Sequence, residues 1–503
     1  MNARRPKFLV AVTAVAISAL TVQFTNASSP HINNQVHKVA AKESISVAEA
    51  WEDVDELFKN LEDVHPDLLA KVRANDYLDL KRRVVTEVTT KFNRDGAIRF
   101  RDLAYSLFYA IAFFQDGHTR IDWWTLREGV LAPNSQSAAG MRFPPFLIKF
   151  QYGRFYIDQA LEKDLIGLQI AAINGVPIMQ FLRPILDRYS GETSDYKAAT
   201  IFRAGWIQKF WWFLTDILSP AKELTATFIR QPAVKFERSL STIDFNAFHA
   251  LAKTSDQAAS DKTLGTRVAF LDGGQIALFT CPEFKWTQDE KENIDHLFQE
   301  IKDKQSHALI VDIRGNGGGK EPMGKFIMQY LTTKKFRANS RDQVKISRRV
   351  FNDPDCRIKT GYDCANMSPL IGLLITNNFE EEELKEPAAF YQGRVYLLVD
   401  NGTYSAASNF AAWLRDYEVG EIIGYETGYL TTNFCEMFKM SLKNSGIPYW
   451  VSYKKFYSPH PRPGDDEHGV IPNIVITDEI LEKYKDQKDP ILAFTIDHIK
   501  SQK

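Results

Sequence analysis

The chain has 503 residues, 44% apolar and 25% charged, enough to bury a large core in roughly two or three domains. A formal net charge of -1 excludes an electrostatic case for nucleic acid or for an anionic lipid surface. Aromatic residues reach 12%, and the dense group Lys209-Phe210-Trp211-Trp212-Phe213-Leu214 reads as a core stripe or as a surface for membrane or an apolar ligand, the core stripe being the simpler choice.

Arg4, Arg5 and Lys7 form a basic head, and an apolar run from Phe8 to Val22 follows, too short to span a bilayer comfortably. Thr25-Asn26-Ala27 then has the small residues of a cleavage site, so residues 1–27 are expected to be a secretory signal peptide, with an uncleaved anchor as the alternative. Residues 28–43 read as a polar linker. The protein is therefore expected to be exported, to a periplasm or the medium, touching membrane only through an uncleaved signal. Export would expose Cys281, Cys356, Cys364 and Cys435 to oxidation. Cys356 and Cys364 bracket a short loop that a disulfide could close, and no cysteine spacing fits zinc.

From Val47 to Phe114 the apolar period is helical, through Ala48, Trp51, Val54, Leu57 and Phe58 and later through Leu103, Leu107, Ile111 and Phe114. A helical domain over 44–130 is expected, carrying the turn Asp116-Gly117-His118-Thr119. A small mixed domain over 131–235 follows, with a hairpin around Tyr152-Gly153 and a strand from Leu168 to Ile173 ending at the turn Asn174-Gly175. Residues 236–503 alternate strands with helices. Val268 to Leu271, Ile276 to Thr280, Ala308 to Ile313, Val395 to Val399 and Glu421 to Ile423 read as strands, with helices after the third and fourth. The charge run from Phe379 to Lys385 is expected to start a solvated helix. The pattern as a whole is that of an α/β layered core with functional loops at strand ends.

Two strand-end loops hold groups that chemistry needs. Asp312-Ile313-Arg314-Gly315-Asn316-Gly317-Gly318-Gly319-Lys320 exposes backbone N–H groups to an anion. It fails the phosphate-loop pattern at Arg314 and the dinucleotide pattern at Lys320, which leaves an oxyanion cradle or a plain tight turn. Asn401-Gly402-Thr403-Tyr404-Ser405-Ala406-Ala407-Ser408-Asn409 puts a serine where a strand turns into a helix, with the N–H of Ala406 beside it. Ser405 is then either a nucleophile or a helix cap, and Ser408 a packing residue. A nucleophilic serine needs a base. His118 is a candidate that Asp116 or Thr119 could orient, the plain alternative being a surface loop histidine, with His460 and His468 as rivals.

At these residues the chain resembles the C-terminal-processing, tail-specific peptidases and their tricorn-core relatives. Asp312, Arg314, Asn316, Gly318 and Gly319 match the family's strand-end loop. Gly402-Thr403-Tyr404-Ser405-Ala406-Ala407 matches its nucleophile segment, and Ile423-Gly424-Tyr425-Glu426-Thr427-Gly428 the segment after it. Gly469-Val470-Ile471-Pro472-Asn473 matches its closing motif, with Asn473 where Asp is usual. The resemblance implies a crotonase-like catalytic domain over 236–503, a PDZ-like module over 131–235, and Ser405 as nucleophile. Many members use a lysine about 25 residues past the serine; here that place holds Leu430, and no lysine occurs between Ser405 and Lys439. The resemblance is therefore to the serine–histidine–acid branch, which implies His118 as base and an acid shortly before Gly469. Glu467 is the favoured acid, then Asp466, with Glu426 an outsider. Gly318 and Ala406 are the implied oxyanion donors.

The expected function is that of an exported serine endopeptidase acting on polypeptides, without metal or cofactor. Two rivals differ in class. One is a catalytically inactive retinoid- or lipid-binding relative, with the aromatic segment 210–214 lining its pocket. The other is a scaffold whose PDZ-like module holds partner C-termini. The insertion from Arg341 to Leu370 lies between the two loops and is expected to cap the site.

Overall fold

The computed structural model describes residues 44–122, 140–203, 222–230, 234–260, 265–360 and 362–502. The expected signal peptide and linker, and the aromatic group 209–214, fall outside them.

Ser46 opens the first helix, Val47–Val64, with a reciprocal cap: its hydroxyl accepts from the N–H of Glu49 at 3.2 Å and its own N–H donates to Glu49 Oε2 at 2.9 Å. The helix stops at His65, whose extended backbone precedes Pro66. The buried face is Ala50, Val54, Leu57, Phe58, Leu61 and Val64. The sequence pattern put Ala48 and Trp51 on that face, but both are exposed. Asp53 lies buried in that stripe because its carboxylate accepts from the N–H groups of Asn444 and Ser445, at 2.9 and 2.8 Å. The helices Ala74–Thr86 and Phe100–Ala112 complete this part, with Leu103, Leu107 and Ile111 buried as their spacing predicts.

The middle part is an antiparallel sheet of Phe146–Gln151, Arg154–Ala160, Gln169–Ile173, Glu223–Arg230 and Val234–Ser241, in that order, with the short strand Val176–Pro177 beside the third. Its tight turns carry positive φ at Tyr152 and Gly153 and at Asn174 and Gly175, the mirror-image turn that matches strand twist. Val234–Ser241 pairs along its whole length with Glu223–Arg230, so the boundary expected at 235 falls within this hairpin. Helices Ile178–Leu186 and Ser194–Ile201 lie in the long connection.

The third part is built on a six-stranded sheet, and the whole is of mixed α/β class. Ile276–Thr280, Ala308–Asp312, Arg394–Val399, Glu421–Gly424 and Ile474–Val475 run parallel, with Arg267–Leu271 antiparallel at one edge. Central strands of such a sheet are covered on both faces, which explains unbroken apolar runs such as Ala308-Leu309-Ile310-Val311. One face packs on the helices Gln288–Asp303, Glu321–Leu331 and Ala406–Asp416, the other on Pro490–Ser501. Ala308–Asp312 and Arg394–Val399 are neighbours in register, so the loops that leave their C-terminal ends stand side by side.

A second sheet joins distant parts of the chain. Pro448–Tyr457 pairs with Asn433–Ser441 along one edge, and with Arg341–Lys345 and Arg120–Ile121 along the other. The insertion joins this sheet through Arg341–Lys345, which pairs with Leu374–Asn378 just beyond its end, and it holds the disulfide Cys356–Cys364. It also braces the end of the first helix, where Arg349 N–H donates to Asp63 at 2.8 Å and Lys345 to the carbonyl of His65 at 3.2 Å. Its hydrogen bonds thus go to sheet and helix rather than over the site, against the expected cap. The segment 379–385 is no helix: Phe379 N–H donates to Ser340 O, and Glu382 bridges to Phe336.

Candidate active site

The two strand-end loops are stitched together before any side chain reaches solvent. Asp400 Oδ1 accepts from Gly315 N–H at 2.7 Å and from Gly402 N–H at 3.0 Å. Thr403 donates its hydroxyl to the carbonyl of Ile313 at 3.1 Å, and Tyr404 N–H donates to the carbonyl of Asn316 at 2.9 Å. Asn316, fully buried, fixes the glycine loop from within, donating to Cys281 O at 2.9 Å and accepting from Gly318 N–H at 2.8 Å. Gly318 has φ +98, and a Cβ there would lie 2.8 Å from Ser405 Cβ and 2.9 Å from Ala406 N, so glycine is required by both conformation and space.

Ser405 sits at the end of this arrangement with φ 53 and ψ -128, a conformation that costs a non-glycine residue roughly 1–3 kcal/mol. Its side chain makes no capping bond to the helix Ala406–Asp416. Instead Ser405 Oγ lies 3.1 Å from His118 Nε2. Ser408, by contrast, is buried and bonded to Thr427 Oγ1 at 2.6 Å and to Tyr429 O at 3.0 Å.

His118 arrives because the strand that follows it docks: Arg120 and Ile121 pair with Trp450 and Tyr449. Asp116 locks the turn. Its Oδ1 accepts from His118 N–H at 2.9 Å, and its Oδ2 from Ser452 Oγ at 2.7 Å and from His65 Nε2 at 3.3 Å. His65 Nδ1 accepts from Asp67 N–H, so the proton facing Asp116 sits on Nε2. Thr119 Oγ1 accepts from Ser452 N–H at 3.0 Å. Burial pushes the Asp116 carboxyl up, but the hydrogen bond from His65 and the nearness of the His65 and His118 rings outweigh it and hold the group at about 2.

The imidazole of His118 is 4% exposed, stacked on Tyr404 with ring centres 5.4 Å apart and met edge-on by Tyr429 at 5.0 Å. Burial lowers it to about 4 against the pull of Asp116, so the ring is neutral at neutral pH and able to take a proton. Its Nδ1 makes no hydrogen bond among the described residues. The carbonyl of Phe434 is close enough to favour the protonated ring, but it already accepts from the Tyr429 hydroxyl at 2.6 Å.

The other candidates stand apart from this pair. Glu467 and Asp466 are exposed, and neither hydrogen-bonds His118. Glu426 is occupied with Gly469 N–H at 2.9 Å and His468 at 3.2 Å, and His460 with Glu381 and the carbonyl of Asp416. Gly318 is where the loop touches Ser405, but its N–H is spent on Asn316. The N–H of Ala406 has no acceptor among the described residues and heads a helix, where partial positive charge gathers. Sequence reasoning missed His65, and it missed Glu192 and Tyr196, which the middle part sends into the site. Tyr196 stacks on Tyr404 at 4.0 Å, and Glu192 is hydrogen-bonded to Gly117 and Tyr404. Nothing in the residues around Glu192 or Tyr196 pointed to these neighbours. Among the described residues no cluster of His, Cys, Asp and Glu is arranged to hold a metal ion.

The fold is similar to that of mature CPAF, which is 14% identical with a TM-score of 0.57 over 85% of this chain and 92% of that one. A structure of mature CPAF complexed with lactacystin gives 14% identity and a TM-score of 0.58 over 85% and 94% of the two chains. A photosystem II D1 C-terminal processing protease is 14% identical over 86% of this chain and 94% of its own, with a TM-score of 0.41. No curated protein sequence matches the chain. Residues 275–476, which span both strand-end loops and Ser405, match Peptidase family S41. That segment is of peptidase family S41, and the protein is a serine-type peptidase.

Proposed function

We propose that this peptidase is exported and hydrolyses peptide bonds through an acyl-enzyme on Ser405, with His118 as general base. The observation that carries the reading is the 3.1 Å approach of His118 Nε2 to Ser405 Oγ, across 287 positions of sequence, at a serine held in a strained turn. As Oγ attacks a substrate carbonyl, its proton passes to Nε2, and the carbonyl oxygen takes the negative charge. Ala406 N–H receives that oxyanion; one such donor is worth roughly 3 kcal/mol. The carboxylate of Asp116, buried beside the ring, balances the imidazolium, and Glu467 and Asp466 have no part in this reading. The imidazolium then gives its proton to the leaving amine, and water repeats the cycle on the acyl group.

Export rests on the basic head at Arg4, Arg5 and Lys7 and the apolar run after it, and the disulfide Cys356–Cys364 suits an oxidising compartment. Ser405→Ala tests the chemistry: turnover of an unfolded protein substrate should fall by more than about a thousandfold, and a fluorophosphonate should label Ser405 in the parent but nothing in the variant. Undiminished turnover in Ser405→Ala, or labelling at Ser408, would sink the mechanism. N-terminal sequencing of the mature protein should begin after Ala27; a retained Met1 would sink export by a cleaved signal.

A further inference from the structure

We propose that Glu192 is a positioning residue for the peptidase centre: its buried carboxyl group, sent in from the middle part of the chain, holds the turn of the base against the turn of the nucleophile. The proposal rests on the Ser405–His118 reading above. One oxygen atom makes the junction. Glu192 Oε1 accepts the N–H of Gly117 at 3.0 Å and the hydroxyl of Tyr404 at 3.2 Å. Gly117 is the residue before the base and Tyr404 the residue before the nucleophile, so a single acceptor ties the immediate neighbours of both.

The surroundings leave this group little else to do. Glu192 Oε2 is buried and has no partner among the described residues. The ring of Tyr404 lies between those of Tyr196 and His118, at 4.0 and 5.4 Å, and Tyr429 closes against both Tyr404 and His118. A Cβ on Gly117 would overlap the Tyr404 hydroxyl, so the glycine of Asp116-Gly117-His118 is what lets the three segments meet. Glu192 itself is fixed by the helix start that follows it, where Thr193 Oγ1 caps Tyr196 N–H at 3.1 Å. Burial and the charge of Asp116 raise the carboxyl to about 8, so the neutral acid is the form present at neutral pH. A neutral acceptor serves both bonds without setting a second negative charge beside Asp116. The same neutrality predicts that glutamine can replace it.

The test reads the rate of fluorophosphonate labelling at Ser405 against probe concentration, in folded protein verified by thermal unfolding. Glu192→Leu keeps the bulk and removes the acceptor; its maximal labelling rate should fall about tenfold to a hundredfold with the half-saturating concentration unchanged, as expected when only alignment is lost. Glu192→Gln should restore the rate to within about threefold of the parent, as expected if the acceptor, not the charge, matters. Tyr404→Phe, which breaks one of the two bonds and keeps the ring, should cost about fivefold. A Glu192→Leu protein that labels at the parental rate overturns the proposal, and so does a Gln variant as slow as the Leu variant. If Glu192→Leu does not fold, parental labelling in Tyr404→Phe overturns it instead. A parent that is itself unlabelled at Ser405 brings down the mechanism and is thereby told apart from a failure of Glu192 alone.

Discussion

The turn that carries Ser405 and the turn that carries His118 are held in different ways. The first is secured by its neighbours in one sheet: Asp400, Thr403 and Asn316 join two loops that adjacent parallel strands already deliver side by side. The second is secured by remote groups, with His65 from the end of the first helix, Ser452 from a late strand and Glu192 from the middle part. The nucleophile is a product of local chain geometry, whereas the base is a product of the assembled tertiary structure. Damage far from the chemistry should therefore silence the base while leaving the serine's turn intact.

The comparison breaks most completely at the imidazole. His118→Ala should lower turnover by more than about a thousandfold while Ser405 keeps its backbone conformation, so a variant retaining a tenth of the parental turnover refutes the pairing. On the other side, Gly318→Ala forces a Cβ to within 2.8 Å of Ser405 Cβ at φ +98, and labelling at Ser405 should drop by about a hundredfold. Unchanged labelling there would mean that the two loops are not as tightly joined as described. Asp116→Asn keeps the shape of the base's anchor and removes its charge. Because a buried, triply bonded carboxylate is lost, urea unfolding should report on the order of 3 kcal/mol less stability.

Acid should act on the base's side of the site first. His118 is depressed from 6.5 to about 4 by burial, so the stability linked to its neutral form is complete above pH 6.5 and is lost as the pH falls through about 4. Asp116 is depressed from 3.8 to about 2, and its contribution is complete above pH 3.8 and lost as the pH falls through about 2. Chemical denaturation of His118→Gln should accordingly lack the loss seen in the parent between pH 6.5 and 4, a difference on the order of 3 kcal/mol. The acid limb of kcat/KM should sit near 4, and a limb at 6.5 would contradict the buried imidazole. The smallest effect belongs to Ser46→Ala, which removes a helix cap far from either turn; about 1 kcal/mol of stability should go, with labelling at Ser405 unaltered.

What the amino-acid order disclosed follows the same division. The parallel strands, the turns at Gly153 and Gly175, the loop around Asn316 and the serine at the helix start were legible, because each is written in neighbouring residues. The histidine was found through a resemblance, and its anchors were only partly found. Asp116 is adjacent to it, but His65 lies 51 positions from Asp116 and Glu192 75 from Gly117, and no local period encodes such meetings. The acids before Gly469 looked suitable by order alone and proved exposed. Trp51 misled for a related reason: the buried stripe runs through Ala50, Asp53 and Val54, with Asp53 serving Asn444 and Ser445, and it leaves Trp51 exposed beside it.

The docking of Arg120–Ile121 onto Pro448–Tyr457 also orders events in time. A ribosome releases the histidine early, yet the strand that receives its turn emerges only after more than three hundred further residues. On the proposed mechanism the growing polypeptide stays inactive until both the hydroxyl and the platform for its proton acceptor, hundreds of residues beyond the histidine, have been made.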